Sequence, residues 1–129
     1  MRLDKKYKNK KIPLNKYLNK IGYCDNKHLE GIRFKGGHYV YISSINRNGT
    51  FNVNTITSLE DKKGKFDFSK IKSVRSGKIY PIPKNHSNFP LWSGIDSRTK
   101  RNVNPRNIKN IGKRQIKRRH FFYIGKFMK

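Results

Sequence analysis

The sequence predicts an α+β fold: a small, β-rich single domain, either an SH3-like barrel or a compact antiparallel sheet, with two short helices. Three observations carry that expectation. The chain has 129 residues, which suits one domain around one modest core. Its eight Phe, seven Tyr and one Trp cluster with Ile and Val in discrete runs, a pattern that a disordered basic tail lacks. Two of those runs flank an Asn-Gly pair, which is a hairpin signal.

The elements follow in order. Residues 1–12 carry Arg2, Lys5, Lys6, Lys8, Lys10 and Lys11 with little apolar content, and read as a basic arm ahead of a domain over 13–129. Pro13 suits a first helical turn, and Leu14, Tyr17, Leu18 and Ile21 fall at helical spacing, so a short amphipathic helix is expected, ended by Gly22. Lys35-Gly36-Gly37 is a turn. His38 to Ile45 is β-branched and aromatic and reads as a strand. Asn46-Arg47-Asn48-Gly49 turns the chain, and Thr50 to Thr57 returns as a second strand. There Phe51, Val53, Thr55 and Thr57 point one way, and Asn52, Asn54 and Ile56 the other.

Residues 59–70 read as a polar loop holding Glu60, Asp61 and Asp67. A further strand covers Ile71–Val74 or Lys78–Ile82, with Ser76-Gly77 as a turn or bulge, and Pro81 and Pro83 end it. Residues 84–104 read as a long loop. Asn104-Pro105 has the form of a cap and first turn for a helix running to about Arg118, with Ile108, Ile111 and Ile116 on its apolar side and Gly112 against it. His120 to Phe127 reads as a closing strand. There is no internal repeat.

Charge dominates the functional reading. Thirty-two Lys and Arg face seven Asp and Glu, a net charge of +25. Such self-repulsion is tolerable when the partner is a polyanion, and nucleic acid gains affinity by releasing counterions from its phosphates. An anionic membrane surface and an acidic protein are the lesser alternatives. The single cysteine, Cys24, excludes an internal disulfide and a zinc site built on several cysteines, and reads as a buried structural thiol. No apolar stretch reaches the ~20 residues that span a bilayer, and the basic N-terminus lacks an apolar region behind it, so a cytoplasmic setting is expected.

The cations concentrate in residues 97–129, which contain no acid. On the expected helix, Lys109, Lys113 and Lys117 form one row, and Arg106, Arg114 and Arg118 lie on the neighbouring face. Trp92 is the loop aromatic best suited to stack on a base.

RNA cleavage through a 2′-hydroxyl needs a base, an acid and cations around the phosphorane, and needs no metal or other cofactor. A metal nuclease needs clustered Asp or Glu; Asp25 with Glu30, or Glu60 with Asp61, could pair, but both pairs sit in ordinary loop contexts. Of the four histidines (His28, His38, His86 and His120), His38 and His120 each open an expected strand. Beside Arg118 and Arg119 they compose an acid–base and phosphate-clamping set. Thr55, Thr57 and Ser58 offer hydroxyl donors to a phosphate.

The run His38-Tyr39-Val40-Tyr41-Ile42-Ser43, the hairpin, and Val53-Asn54-Thr55-Ile56-Thr57-Ser58 together resemble the core of the MazF/PemK-like toxins. That family consists of small endoribonucleases with an SH3-like barrel. The resemblance covers about residues 31–60. It implies that the family's active-site threonine falls on Thr57, with Ser58 beside it. The family's arginine precedes a proline in the first strand. Gly37-His38-Tyr39 stands there instead, so His38 or Arg33 has to substitute. The closing Arg118-to-Tyr123 run also fits the RelE, colicin and barnase-like toxin nucleases.

The sequence therefore points to a metal-independent, toxin-type endoribonuclease. His38 or His120 does the acid–base work, Arg33, Arg118 and Arg119 hold phosphate, and Thr57 sits near the scissile group. Such an enzyme implies an acidic protein or an RNA as its inhibitor, and leaves an oligomer open. The rival is a non-enzymatic nucleic-acid-binding module, ribosome-associated or a phage-type regulator. A third reading is a protein that binds an acidic protein surface.

Overall fold

A computed structural model describes residues 14–29 and 35–128. The expected basic arm and Arg33 lie outside those residues. Seven strands form one antiparallel sheet: β1 (Ile21–Asp25), β2 (Gly37–Ile45), β3 (Phe51–Ser58), β4 (Ile79–Ile82), β5 (Ser93–Asp96), β6 (Arg101–Val103) and β7 (Ile108–Arg114). Their order is β4-β5-β3-β2-β1-β7, with β6 pairing β3 beyond the end of β5. Of the two architectures expected, the compact antiparallel sheet forms. It is open, and β4 and β7 are its ends. The two helices are α1 (Phe68–Arg75) and α2 (Phe121–Phe127).

The β2–β3 hairpin stands as expected. Gly49, at φ +86, supplies the left-handed turn position, and Asn46 N–H donates to the Thr50 carbonyl at 2.9 Å. Tyr39 pairs with Ile56, Tyr41 with Asn54 and Ile42 with Val53. The hairpin is central, so both its faces are covered. Val40, Ile42, Phe51 and Val53 join Cys24, Leu29, Val103 and Ile108 on one side. Tyr41 and Ile56 join Ile21, Ile82, Phe89, Ile95, Ile116 and Ile124 on the other. The alternation expected for β3 holds, with Phe51 and Val53 on one side and Ile56 on the other, and both faces are buried. Each fully buried aliphatic or aromatic side chain contributes about 1.5–3 kcal/mol. Cys24 is one of them, and burial followed by the Asp25 charge pushes its thiol up to about 11.

Four expectations fail, each for a tertiary reason. The first helix shrinks to a 3-10 turn, Leu14–Tyr17, after which Asn19 at φ +66 redirects the chain into β1. Gly22 does not stop a helix. It lies within β1, where a Cβ would meet Ile108 Cγ2 at 2.3 Å, so it lets β7 close on β1. The helix expected from Asn104 keeps its cap, as Asn104 Oδ1 accepts from Arg106 N–H at 3.1 Å, but ends after Pro105–Asn107. Asn110 at φ +56 and Gly112 at φ +91 are incompatible with a helix, and β1 offers an edge on which Ile108 pairs with Cys24 and Arg114 with Ile21.

The closing strand over His120–Phe127 is instead α2, because only one side of it meets the core: Ile124 is buried while Phe122 and Tyr123 are exposed. Residues 71–74, one of two places expected for a strand, lie in α1, which Asp67 caps by accepting from Ser69 and Lys70 N–H. The other place is β4. The long loop over 84–104 contains β5, β6 and two 3-10 turns. Among the described residues no helix is long and apolar enough to cross a membrane.

Candidate active site and nucleic-acid interface

After β7 the chain folds back along the loop that follows β4. Ser87 bridges to Ile116, Gln115 N–H donates to Asn88 Oδ1 at 2.8 Å, and Lys117 N–H donates to the His86 carbonyl at 3.1 Å. His120 N–H donates to the Lys117 carbonyl at 3.0 Å, closing the 3-10 turn Arg118–His120. These backbone bonds bring Arg119 and His120 against His86.

The side chains then form a line. Arg119 Nη2 bonds His86 Nε2, His86 Nδ1 lies 2.9 Å from His120 Nε2, and His120 Nδ1 lies 2.9 Å from the Tyr80 hydroxyl. Proton positions along it are forced. A guanidinium only donates, so His86 Nε2 accepts and its proton sits on Nδ1. That proton points at His120 Nε2, so the His120 proton sits on Nδ1 and points at Tyr80, whose own O–H is left to donate outward. Burial, then the positive charges of Arg119 and Lys117, lower the His86 pKa; His120 is lowered by burial, His86, Arg119 and Lys117. Both rings therefore favour the neutral form. Burial and Tyr123 raise the Tyr80 phenol, which keeps its proton.

Beside this line the Arg114 guanidinium lies 5.0 Å from the ring centroids of both Tyr39 and Phe89, which are 5.2 Å apart and edge-on. Arg114 Nη1 also donates to the Asn88 carbonyl, two positions after His86 in the same loop segment. Two cavities share Tyr39 and Arg114. One of about 180 Å³ exposes Thr57, Ser58 and Ser93 to its interior. The other, about 290 Å³, is lined by Asn88, Asn110 and Lys113.

Of the residues expected at the site, His120 and Arg119 come together, and Lys117 acts on both histidines through its charge. Thr57, Lys113 and Arg114 line the adjoining cavities. Arg118 is exposed. Two expectations need correction. His38 does not pair with His120: its Nδ1 donates to Asn26 Oδ1 at 2.6 Å, while the Asn26 amide donates to the Lys35 carbonyl at 3.5 Å. Burial and Lys70 lower the His38 pKa, so this ring too favours the neutral form, with Nε2 as its acceptor. Lys109 belongs to no helical row, since it lies on β7 and pairs with Asp25 at 3.4 Å. Trp92 stands in a separate apolar groove of about 470 Å³, edge-on to Phe66 at 6.1 Å, with Leu59, Ile71 and Val74 around it.

Tyr80 and Asn26 were not singled out from the sequence, and His86 was placed only in a loop. The one local hint was the Tyr80-Pro81-Ile82-Pro83 stretch, which stiffens the approach to His86. Compared with known proteins, the chain matches no family model, and no curated protein is similar to it.

Proposed function

We propose that this protein binds RNA and cleaves it by metal-independent transesterification at the Arg119–His86–His120–Tyr80 line. The hydrogen-bonded line is the observation that carries the reading, because it links a proton acceptor at one end to a proton donor at the other. When Arg119 swings from His86 onto the scissile phosphate, His86 Nε2 is freed to take the 2′-hydroxyl proton. The 2′-oxygen attacks phosphorus and the bond to the 5′-oxygen breaks. A proton moves from His86 Nδ1 to His120 Nε2, from His120 Nδ1 to Tyr80, and from the Tyr80 hydroxyl to the leaving 5′-oxygen. One proton enters and one leaves. The products are a 2′,3′-cyclic phosphate and a 5′-hydroxyl, and both rings end in the opposite tautomer, which exchange with solvent resets. General acid–base catalysis of this kind contributes ~10²–10⁴-fold.

The net charge of +25 and the acid-free stretch over 97–129 support a polyanionic substrate. Arg114 over Tyr39 and Phe89, with Thr57 and Ser58 in the adjoining cavity, supports a path for the strand on either side of the scissile bond. A cell that makes such an enzyme needs an inhibitor, an acidic protein or an RNA.

The test is a labelled unstructured RNA incubated in EDTA with the wild-type protein and with His86→Ala, His120→Ala and His38→Ala. Cleavage lost in the first two, with binding intact, supports the proposal. Loss only in His38→Ala moves the chemistry to the Asn26–His38 pair and Thr57. Salt-sensitive binding without cleavage overturns the enzyme and leaves a nucleic-acid-binding module.

A further inference from the structure

A polar cavity of about 210 Å³ opens beside α2, several times the ~30 Å³ that one water molecule occupies in the liquid. Asn19, Tyr41, Asn54 and Lys100 line it, together with Ile124 in the middle of α2 and Met128 just after it. Two amides inside it hydrogen-bond to their neighbours. The Tyr41 hydroxyl donates to Asn19 Oδ1, which leaves the Asn19 NH₂ facing the cavity as a donor. Asn54 Nδ2 donates to the Asp96 carbonyl at 3.0 Å, which leaves Asn54 Oδ1 as an acceptor. Asn54 itself is buried, and it lines the cavity beside Asn19. An acceptor that faces a polar cavity is met by a ligand that brings a donor.

The backbone at Asn19 points the same way. Its φ of +66 is one that glycine and asparagine adopt most readily, and the turn could use glycine. An asparagine there contributes an amide that glycine lacks.

We propose that this cavity holds one nucleobase of the bound RNA. The base presents an acceptor to Asn19 and a donor to Asn54, as the hydrogen-bonding edge of a nucleobase does. Ile124 and Met128 supply apolar walls for the ring, and Lys100, exposed at the rim, meets a neighbouring phosphate. This inference rests on the RNA-binding reading above and adds a determinant of sequence preference to it. His120 stands just ahead of α2, and Ile124 and Met128 lie four and eight positions further on, so the cavity is ~6–12 Å along the helix axis from the proposed site of cleavage. That is the reach of a neighbouring nucleotide.

Fluorescence anisotropy with labelled 2′-O-methyl octamers of A, C and U, which cannot be cleaved through a 2′-hydroxyl, tests the proposal in EDTA at fixed salt. The wild type is expected to separate the best from the worst octamer by about fivefold or more, the scale of a lost base contact. Asn54→Ala and Asn19→Gly are each expected to reduce that spread to less than about twofold while the salt dependence stays unchanged. Asn19→Gly suits the left-handed backbone, so it removes the amide without straining the fold. A wild-type spread below twofold, or a spread that survives both variants, overturns the nucleobase pocket and leaves RNA binding standing. No binding of any octamer overturns the RNA reading itself.

Discussion

Nδ1 of His86 lies 2.9 Å from Nε2 of His120, and in the neutral pair a single proton serves that contact. Protonating both rings sets two N–H groups against each other beside Arg119 and Lys117. Burial and then the His86 charge lower His120, while burial and then the Arg119 charge lower His86.

Stability is therefore expected to fall on mild acidification. A histidine whose folded pKa is depressed binds its proton more readily in the unfolded chain. The native state loses ground as pH drops through the unfolded value, ~6.5, towards the lower folded one. His38, His86 and His120 all shift in this direction. Urea midpoints at pH 8 and 5.5 check it. The midpoint falls at the lower pH, and His86→Gln with His120→Gln makes that fall smaller.

Tyr80→Phe removes the terminal hydroxyl but keeps the ring that packs edge-on to Phe127 at 5.6 Å. The cleavage rate is expected to drop ~10²–10⁴-fold with RNA affinity unchanged. A substrate with sulfur in place of the 5′-oxygen leaves without a proton, so it restores the rate of Tyr80→Phe and not that of His86→Ala. Equal rescue of both variants, or of neither, rejects the division of labour between base and acid.

Arg114→Ala is expected to weaken binding of all RNA sequences by a similar factor and to reduce the salt slope by about one. The same change releases Asn88, so the loop that carries His86 loses an anchor and cleavage falls more than affinity does. Binding isotherms across a salt series, beside single-turnover rates, separate the two effects.

Glycines test the packing. Alanine at Gly22 or Gly94 sets a Cβ 2.3 Å from Ile108 or Ile79 and is expected to destabilise by about 1–3 kcal/mol. At Gly125, within α2, a Cβ meets nothing within 4 Å, and alanine is expected to stabilise by about 0.5–1 kcal/mol. Urea unfolding of the three variants reads both signs.

The hairpin was legible because its signals are local: a β-branched and aromatic first strand, alternation on the second, and Asn48-Gly49 between them. The end of the chain was inverted for the opposite reason. Ile108, Ile111 and Ile116 carry a helix-like spacing, and His120 to Phe127 a strand-like composition, yet which one adds to the sheet is decided by the free edge of β1, some eighty residues earlier. The candidate site divides in the same way. His120, Arg119 and Thr57 were recognisable as chemistry. That His120 meets His86 and Tyr80 follows from the Ser87–Ile116 bridge and the hydrogen bonds beside it, which leave no mark in sequence spacing. Trp92 was recognisable as a loop aromatic, but its place in a groove beside Phe66 leaves no mark in sequence spacing either.

The pairing of β1 with β7 also bears on how the chain reaches its fold. Asp25 and Lys109 meet across 84 positions, and loops of that length close slowly. Meanwhile the cations of the unfolded chain repel one another without relief from a partner. Added salt screens that repulsion and is expected to quicken refolding. The same salt loosens RNA, so the ionic strength best for making this protein is not the one best for using it.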